Sequence, residues 1–421
     1  MGRRSRRRTP VEWVASPPQV LWQVIGVRPV LFTSPVGLTC GGDHSDLRGA
    51  SAVQFFVRTL SRTLVPAPVR VRAPRRAGAA VRGLRNLAAI AVLAVLLAAC
   101  SGDSPSGAGH VTITVYNGQH VQTTEALVAA FEKATGIDVA VRNDDEDVFD
   151  AEIVAEGPHS PADVVFTENS PALEYLQARG LLAPVDRATI VRTPARFDSP
   201  QGDWVGVSAR VSVLIYNPSL IKPSALPTHV LELADPRYRG ELALAAGETD
   251  FQPIVTSVLR TYGRAEALRW LNGIKTNAGS HVYPDNETIS EVVNRGIVAF
   301  GVVNQYYWYR MRAEIGASRI HSRIAFFAPR DPGYVLDVSG AGILRSSRHK
   351  AAAQRFLAFL VSAKGQEIIA HSISFEYPIA SGVTTVQPET PFDELRPNPI
   401  DVGELGTGSQ AITLLRDVQL L

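Results

Sequence analysis

The chain reads as an α/β protein, and two patterns predict this. From His110 onward, short segments with the two-residue apolar alternation of a strand take turns with segments whose apolar residues recur at helical spacing. The punctuation agrees. Gly136, Gly157 and Gly180 stand where helical patterns stop, and Ser170-Pro171 stands where one begins.

Taken in order, residues 111–116 (VTITVY) alternate as a strand, and 122–135 place Leu127, Ala130, Phe131 and Ala134 on one helical face. A strand over 137–142 (IDVAVR) leads into the charged run DDED at 144–147, which reads as a solvated loop. It lacks the glycine and terminal glutamate of a calcium-binding loop. A helix over 149–156 closes at Gly157, and ADVVFTE at 162–168 is a strand whose polar end is Glu168. Ser170-Pro171 opens a helix that stops at Gly180. Further on, 211–216 and 241–246 read as strands, and 264–274 as an amphipathic helix carrying Trp270. Then come a helix over 288–294, a strand over 297–303, and one long helix over 350–370 with Phe356, Leu357 and Leu360 on a single face. No internal repeat interrupts this alternation.

A length of 421 residues leaves room for two or three domains. The formal net charge of +2 conceals an uneven distribution. Residues 1–99 carry fifteen Arg, no Lys and three acidic residues, a net of +12, whereas the rest carries 27 basic and 37 acidic residues, a net of −10. An acidic body argues against a nucleic-acid binder.

The two cysteines are Cys40 and Cys100, so the body after Cys100 can form no disulfide of its own. Arg82 and Arg85 precede an apolar run of thirteen residues, 87–99. That is too short to span a bilayer as a mature helix but suits the apolar region of a signal sequence. Leu97-Ala98-Ala99-Cys100 resembles the bacterial lipoprotein box, which implies lipidation at Cys100 and a membrane anchor. The SGDSPSGAG stretch at 101–109 has the composition of a flexible tether. Residues 1–80 are rich in Arg and Pro and show no period; they read as a disordered leader or a mis-assigned start, with translation beginning near Val81. The expected organisation is thus leader 1–80, signal segment 81–100 and tether 101–109.

Three groups able to carry chemistry lie at the carboxyl ends of predicted strands, where open α/β sheets bind ligands. They are His120 in YNGQH, Glu168 after ADVVFT, and the pair Tyr306-Tyr307 in NQYYWYRM. Each has an ordinary alternative. A lone His after a strand often caps a helix, a carboxylate is favourable near a helix N-terminus, and paired aromatics commonly fill a core. Together, however, one imidazole, one carboxylate and two phenols make a coherent set for a hard, highly charged cation, with no thiolate on offer. A free phenol, with a pKa of about 10, is a poor ligand at neutral pH unless such a cation stabilises the phenolate. Iron(III) fits this requirement. Trp308 and Tyr309 read as the packing that holds a turn rigid beside the pair, after the strand 297–303.

At this point a resemblance becomes specific. VTITVYNGQH, SPADVVFTENSPAL, WVGVSARVSVLIYN, NQYYWY, RDPG and SGAGILRSS occur in order over residues 111–379. They resemble the ferric-ion-binding proteins of bacterial ABC importers. The resemblance implies a type II periplasmic-binding-protein fold, two α/β lobes joined by two crossing strands with the cargo between them. It implies lobe 1 over 110–212 and 337–387, and lobe 2 over 213–336 and 388–421. Its metal ligands map onto His120, Glu168, Tyr306 and Tyr307. It also implies an exogenous anion, phosphate or carbonate, held by Asn169, Thr249, Asn286 and Asn304. The stretch Gly247-Glu248-Thr249-Asp250 departs from the family's small neutral anion loop. Two carboxylates there would repel phosphate unless they point away, so either the anion differs, or Thr249 and backbone groups hold it alone, or one acid meets the iron.

The expected function is therefore capture of ferric iron outside the cytoplasm and delivery to the permease and ATPase of an ABC importer. The protein is expected to work as a lipid-anchored monomer and not as an enzyme. The same fold could instead bind thiamine, a polyamine, sulfate or a metal chelate. A secreted hydrolase using Glu168 with the DDED acids is disfavoured by the lack of a G-x-S-x-G or H-E-x-x-H motif.

Overall fold

The computed structural model describes residues 111–380, 383 and 390–421. The leader, the signal segment with Cys100 and the tether fall outside the described residues, as does the boundary expected at 387/388.

The alternation is present. Strands β1 (Thr112–Asn117), β2 (Asp138–Asn143) and β3 (Val164–Thr167) alternate with helices α1 (Val121–Thr135), α2 (Glu146–Glu156) and α3 (Ser170–Ala178). Next come β4 (Leu182–Ala183), α4 (Arg187–Ile190), β5 (Trp204–Tyr216), β6 (Leu242–Ala243), α5 (Gln252–Ala278) and α6 (Asn286–Asn294). The chain continues through β7 (Phe300–Asn304), α7 (Gln305–Ile315), β8 (Arg323–Ala325) and β9 (Leu336–Leu344). It ends with α8 (Lys350–Leu360), α9 (Ala363–Ala370), β10 (Tyr377–Pro378), α10 (Val402–Leu405) and α11 (Ser409–Asp417).

The sheet order is β2-β1-β3-β9-β5-β7-β6, with β4 beside β9 and both β8 and β10 beside β5. β1 runs parallel to β2 and β3, whereas β9 runs antiparallel to β3 and β5. The central element is β5, buried along its whole length. Its first part, Trp204 to Val211, pairs with β9, and from Ser212 to Tyr216 it pairs with β7. A strand that changes partner midway belongs to two sheets. Both of its faces are covered, so apolar residues dominate it, with Ser208, Arg210 and Ser212 as its buried polar members.

Three local expectations change. The residues 350–370 divide into α8 and α9, because the Ser362 side chain caps a new start by accepting the Gly365 N–H at 3.1 Å. The pattern over 264–274 is the second half of a longer helix that begins at Gln252 and breaks at Gly263, whose φ of 78° suits glycine. NQYYWYRM is not a turn after a strand: α7 starts at Gln305 with Asn304 as its N-cap.

Candidate metal centre

The loop after β1 is shaped by Asn117. Its Oδ1 accepts from Thr124 Oγ1 at 2.9 Å and from the Gln119 N–H at 3.3 Å, while its Nδ2 donates to the Gln119 carbonyl at 2.7 Å. At Gly118 the chain passes α2 so closely that an added Cβ would lie 2.9 Å from Glu146 Cβ. His120 becomes the N-cap residue of α1. Its Nδ1 lies 2.9 Å from Glu168 Oε1, and its Nε2 is buried with no hydrogen-bond partner.

Glu168 follows the last residue of β3, and its side chain stays 20% exposed. The turn beyond it is clamped by Glu146, whose Oε2 accepts the Asn169 N–H at 2.9 Å and whose Oε1 accepts Asn169 Nδ2 at 2.7 Å. The DDED run is thus only partly a solvated loop. Glu146 is buried as the first residue of α2, and burial pushes its carboxyl up to about 8 against the pull of the Asn169 N–H groups.

From the opposite side, Tyr306 and Tyr307 enter on the first turn of α7 with ring centroids 4.1 Å apart. The Tyr306 hydroxyl lies 3.4 Å from Glu168 Oε2 and 3.3 Å from Asp250 Oδ2. Tyr307 donates to the same Asp250 Oδ2 at 3.0 Å, and Asn286 Nδ2 reaches it at 3.3 Å. The Tyr306 ring meets His120 edge-on, with centroids 4.8 Å apart. The four residues singled out as metal ligands therefore converge, and Asp250 stands among them. Trp308 donates to the Ser322 carbonyl and Tyr309 stacks on Phe375, so both are packing, as expected.

The expected anion donors behave differently from one another. Asn169 Nδ2 is committed to Glu146 and, at 3.0 Å, to Thr249 Oγ1. Asn286 is turned to Asp250, whereas Asn304 keeps a buried Nδ2 with no hydrogen-bond partner.

The sequence reading missed Arg210, midway along β5 and fully buried. Its Nη1 reaches Glu376 Oε1 at 3.1 Å and donates to Ser339 Oγ at 2.7 Å, and its Nη2 faces Asp250 Oδ1 at 3.5 Å. Ser339 in turn donates to the Glu168 carbonyl at 3.2 Å, tying the guanidinium to the site. The signal was a lone Arg among the mostly apolar residues of WVGVSARVSVLIY, where a charge must find partners.

Electrostatics load the site with protons. Burial, then the neighbouring Asp250 and Glu168 carboxylates, hold both phenols well above their usual value of 10.0. Burial alone would lower His120, yet the Glu168 carboxylate outweighs it and the net shift is upward. Burial would raise Glu168, but His120 and then Arg210 and Arg310 bring it down to about 2. A polar cleft of about 370 Å³ leads to this cluster, with Asp145, Asp147, Glu168, Glu248 and Glu287 on its walls and Tyr307 among them. Among the described residues, no group of three or more His, Cys, Asp and Glu side chains forms a metal cluster by itself. The set is complete only with its phenols.

Two groups of elements joined through β5, each contributing part of one convergent set at a cleft, define a solute-binding protein. The chain belongs to the bacterial extracellular solute-binding protein family, whose pattern matches residues 159–402. It is 33% identical over 338 residues to the Fe(3+)-binding periplasmic protein of Serratia marcescens, spanning 80% of this chain and 99% of that relative. To the major ferric iron-binding protein of Neisseria meningitidis it is 33% identical over 324 residues, 76% of this chain and 96% of the relative. Among solved structures, iron-bound HitA from Pseudomonas aeruginosa superposes with a TM-score of 0.70 at 38% identity, covering 73% of this chain and 99% of that one. A Trichodesmium FutA in complex with iron and citrate ligands gives 0.66 at 28% identity, covering 73% and 99%. The fold is the type II periplasmic-binding-protein fold, as expected.

Proposed function

We propose that the chain is an extracytoplasmic receptor that captures ferric iron and delivers it to an ABC importer. The observation that carries this reading is the convergence of Tyr306 and Tyr307 with Glu168 and His120, whose Nε2 is buried and unpartnered. Two phenols on one side and an imidazole with a carboxylate on the other suit a trivalent cation. The names of the relatives support iron as the cargo.

Lobe 1 (110–212 and 337–387) supplies His120 and Glu168, and lobe 2 (213–336 and 388–421) supplies the tyrosines. Supporting this division, β5 exchanges β9 for β7 between Val211 and Ser212, and β9 begins at Leu336. Iron bridging the two lobes favours a closed form by hinge motion, and the closed form is what the permease recognises before its ATPase drives uptake. A lipid at Cys100 holds the receptor at the outer face of the membrane, where it acts as a monomer and binds without catalysing a reaction. An exogenous phosphate or carbonate belongs to the family expectation. Of its four expected donors, Asn304 is the one whose buried amide N–H group has no partner.

The test is metal content. Purified protein incubated with ferric citrate and desalted should retain about one iron per chain, and iron should raise its melting temperature through mass action. Thiamine, spermidine or sulfate should not. Stabilisation by one of those solutes with no iron retained would contradict the proposal.

A further inference from the structure

We infer that the chain has a second binding site, a cavity beside the polar cleft that takes a small organic monocation, an ammonium group on a short apolar body. This goes beyond the ferric reading and does not depend on it. The cavity measures about 220 Å³ and is lined from both groups of elements. On one side stand α2 and the start of α3, and on the other Thr249, Gln252 and the C-terminal residues Thr407, Ser409 and Ile412. Along α2, Glu146, Asp147, Asp150 and Ala151 recur at the spacing of one helical face, so three carboxyl groups share one wall. Two buried oxygens mark the space as a site. Asn169 lines the cavity at 1% exposure; its Nδ2 is taken up by Glu146 and Thr249, and its Oδ1 is buried without a hydrogen bond. Asp150 Oδ1 is likewise buried without one. Both are acceptors, and buried polar atoms of folded proteins normally have partners, so the partner called for is a donor.

Charge narrows the ligand further. No Lys, Arg or His is among the described residues that line the cavity, so the protein supplies no cation of its own there. Burial, with Glu146 and Asp147 beside it, pushes the Asp150 carboxyl up to about 9, and burial raises Glu146 to about 8. Without a cation both groups hold their protons near neutral pH, and one ammonium compensates one ionised carboxylate. On binding, the ammonium N–H groups donate to Asp150 and to Asn169 Oδ1, and Asp150 releases its proton to solvent. A polyamine or a divalent metal ion would bring further charge against Ala151, Pro171, Ala172 and Ile412, where it would go unpaired. Those same residues suit a short hydrocarbon body.

The experiment is calorimetric titration of the metal-free protein with 3-methylbutylammonium chloride at about pH 8, where an alkylamine remains protonated. The wild type should bind one equivalent, whereas 3-methylbutanol, of the same shape without the charge, and tetramethylammonium, which has no N–H donor, should each bind at least about tenfold more weakly. Asp150→Asn should weaken the amine by on the order of 10- to 100-fold, the usual worth of a hydrogen bond to a charged group. Its fold is not at risk, because the buried position already favours a neutral side chain. Ala151 is exposed, so Ala151→Phe can fill the cavity without disturbing the core and should abolish binding. Glu287 lines the polar cleft and not this cavity, so Glu287→Gln should leave the amine affinity unchanged. Absence of binding to the wild type overturns the inference, as does equal binding of the alcohol, of spermidine or of magnesium ion. Binding that survives Asp150→Asn and is lost in Glu287→Gln places the amine in the cleft and overturns it too. No iron enters the titration, so failure here leaves the ferric reading standing, and failure of the ferric reading leaves this result unaffected.

Discussion

The Tyr307 hydroxyl donates to Oδ2 of Asp250 at 3.0 Å, joining the first turn of α7 to the turn that precedes α5. This bond keeps a proton on the phenol in the metal-free protein, and the upward shift of both tyrosines and of His120 has the same sense. On the proposed coordination, iron displaces protons as it binds these groups.

Proton release follows directly. Both phenols and the imidazole are shifted toward holding their protons without metal and must give them up to bind it, so affinity rises with pH. Calorimetric iron titrations in buffers of different ionisation enthalpy should show release of about two to three protons near neutral pH. An affinity that stays flat between about pH 6 and pH 8 would contradict this.

Arg210 should matter for stability even without metal. Arg210→Met leaves Glu376 and Asp250 buried without their guanidinium, and loss of one partner of a buried ion pair costs about 3–5 kcal/mol. Urea unfolding of the metal-free variant measures this. A midpoint equal to that of the wild type would show that the network carries no such charge.

Gly118→Ala tests the packing under His120, the first proposed ligand. The new Cβ would meet Glu146 Cβ at 2.9 Å and its Cα at 3.1 Å, and both belong to an element that clamps Asn169. Overpacking of this kind costs about 1–3 kcal/mol. Because the strain lies between His120 and Glu168, iron affinity should fall along with the melting temperature.

Asp198 supplies a pH effect away from the cleft. Burial pushes its carboxyl from 3.8 up to about 7, partly opposed by the Gly206 N–H, which it accepts at 2.9 Å. A raised carboxylate means that the folded state prefers the neutral form. Its contribution is therefore fully present below pH 3.8 and declines as pH rises to about 7, beyond which the loss is complete. Asp198→Asn, which cannot ionise, should remove on the order of 2–4 kcal/mol of this decline. Denaturant melts at several pH values would show the slope vanish, and an unchanged slope would assign it elsewhere.

The sequence disclosed the elements whose period repeats over several turns or pleats, including β1, α1 and β3, and it pointed to four residues that converge at the cleft because His120, Glu168 and the tyrosines each sit in a short local motif. It did not disclose how α7 begins. A run of aromatics has no amphipathic period, so 304–311 read as a turn although it is the start of a helix. Arg210, Glu146 and the inward aim of Asp250 were also hidden. Their roles come from partners about 20 to 170 residues away in the chain, which periodicity cannot report. The length of β5 was underestimated for a related reason: Gly206, Ser208 and Arg210 interrupt its apolar pattern, and only the paired sheet shows them buried.

The central claim is that Tyr306 and Tyr307 bind ferric iron as phenolates, and the visible spectrum of the iron-loaded protein tests it most directly. A charge-transfer band should accompany iron binding in the wild type, weaken in Tyr306→Phe and in Tyr307→Phe, and vanish in the double variant. An iron-loaded wild type without that band, or a double variant that keeps it, would contradict the account.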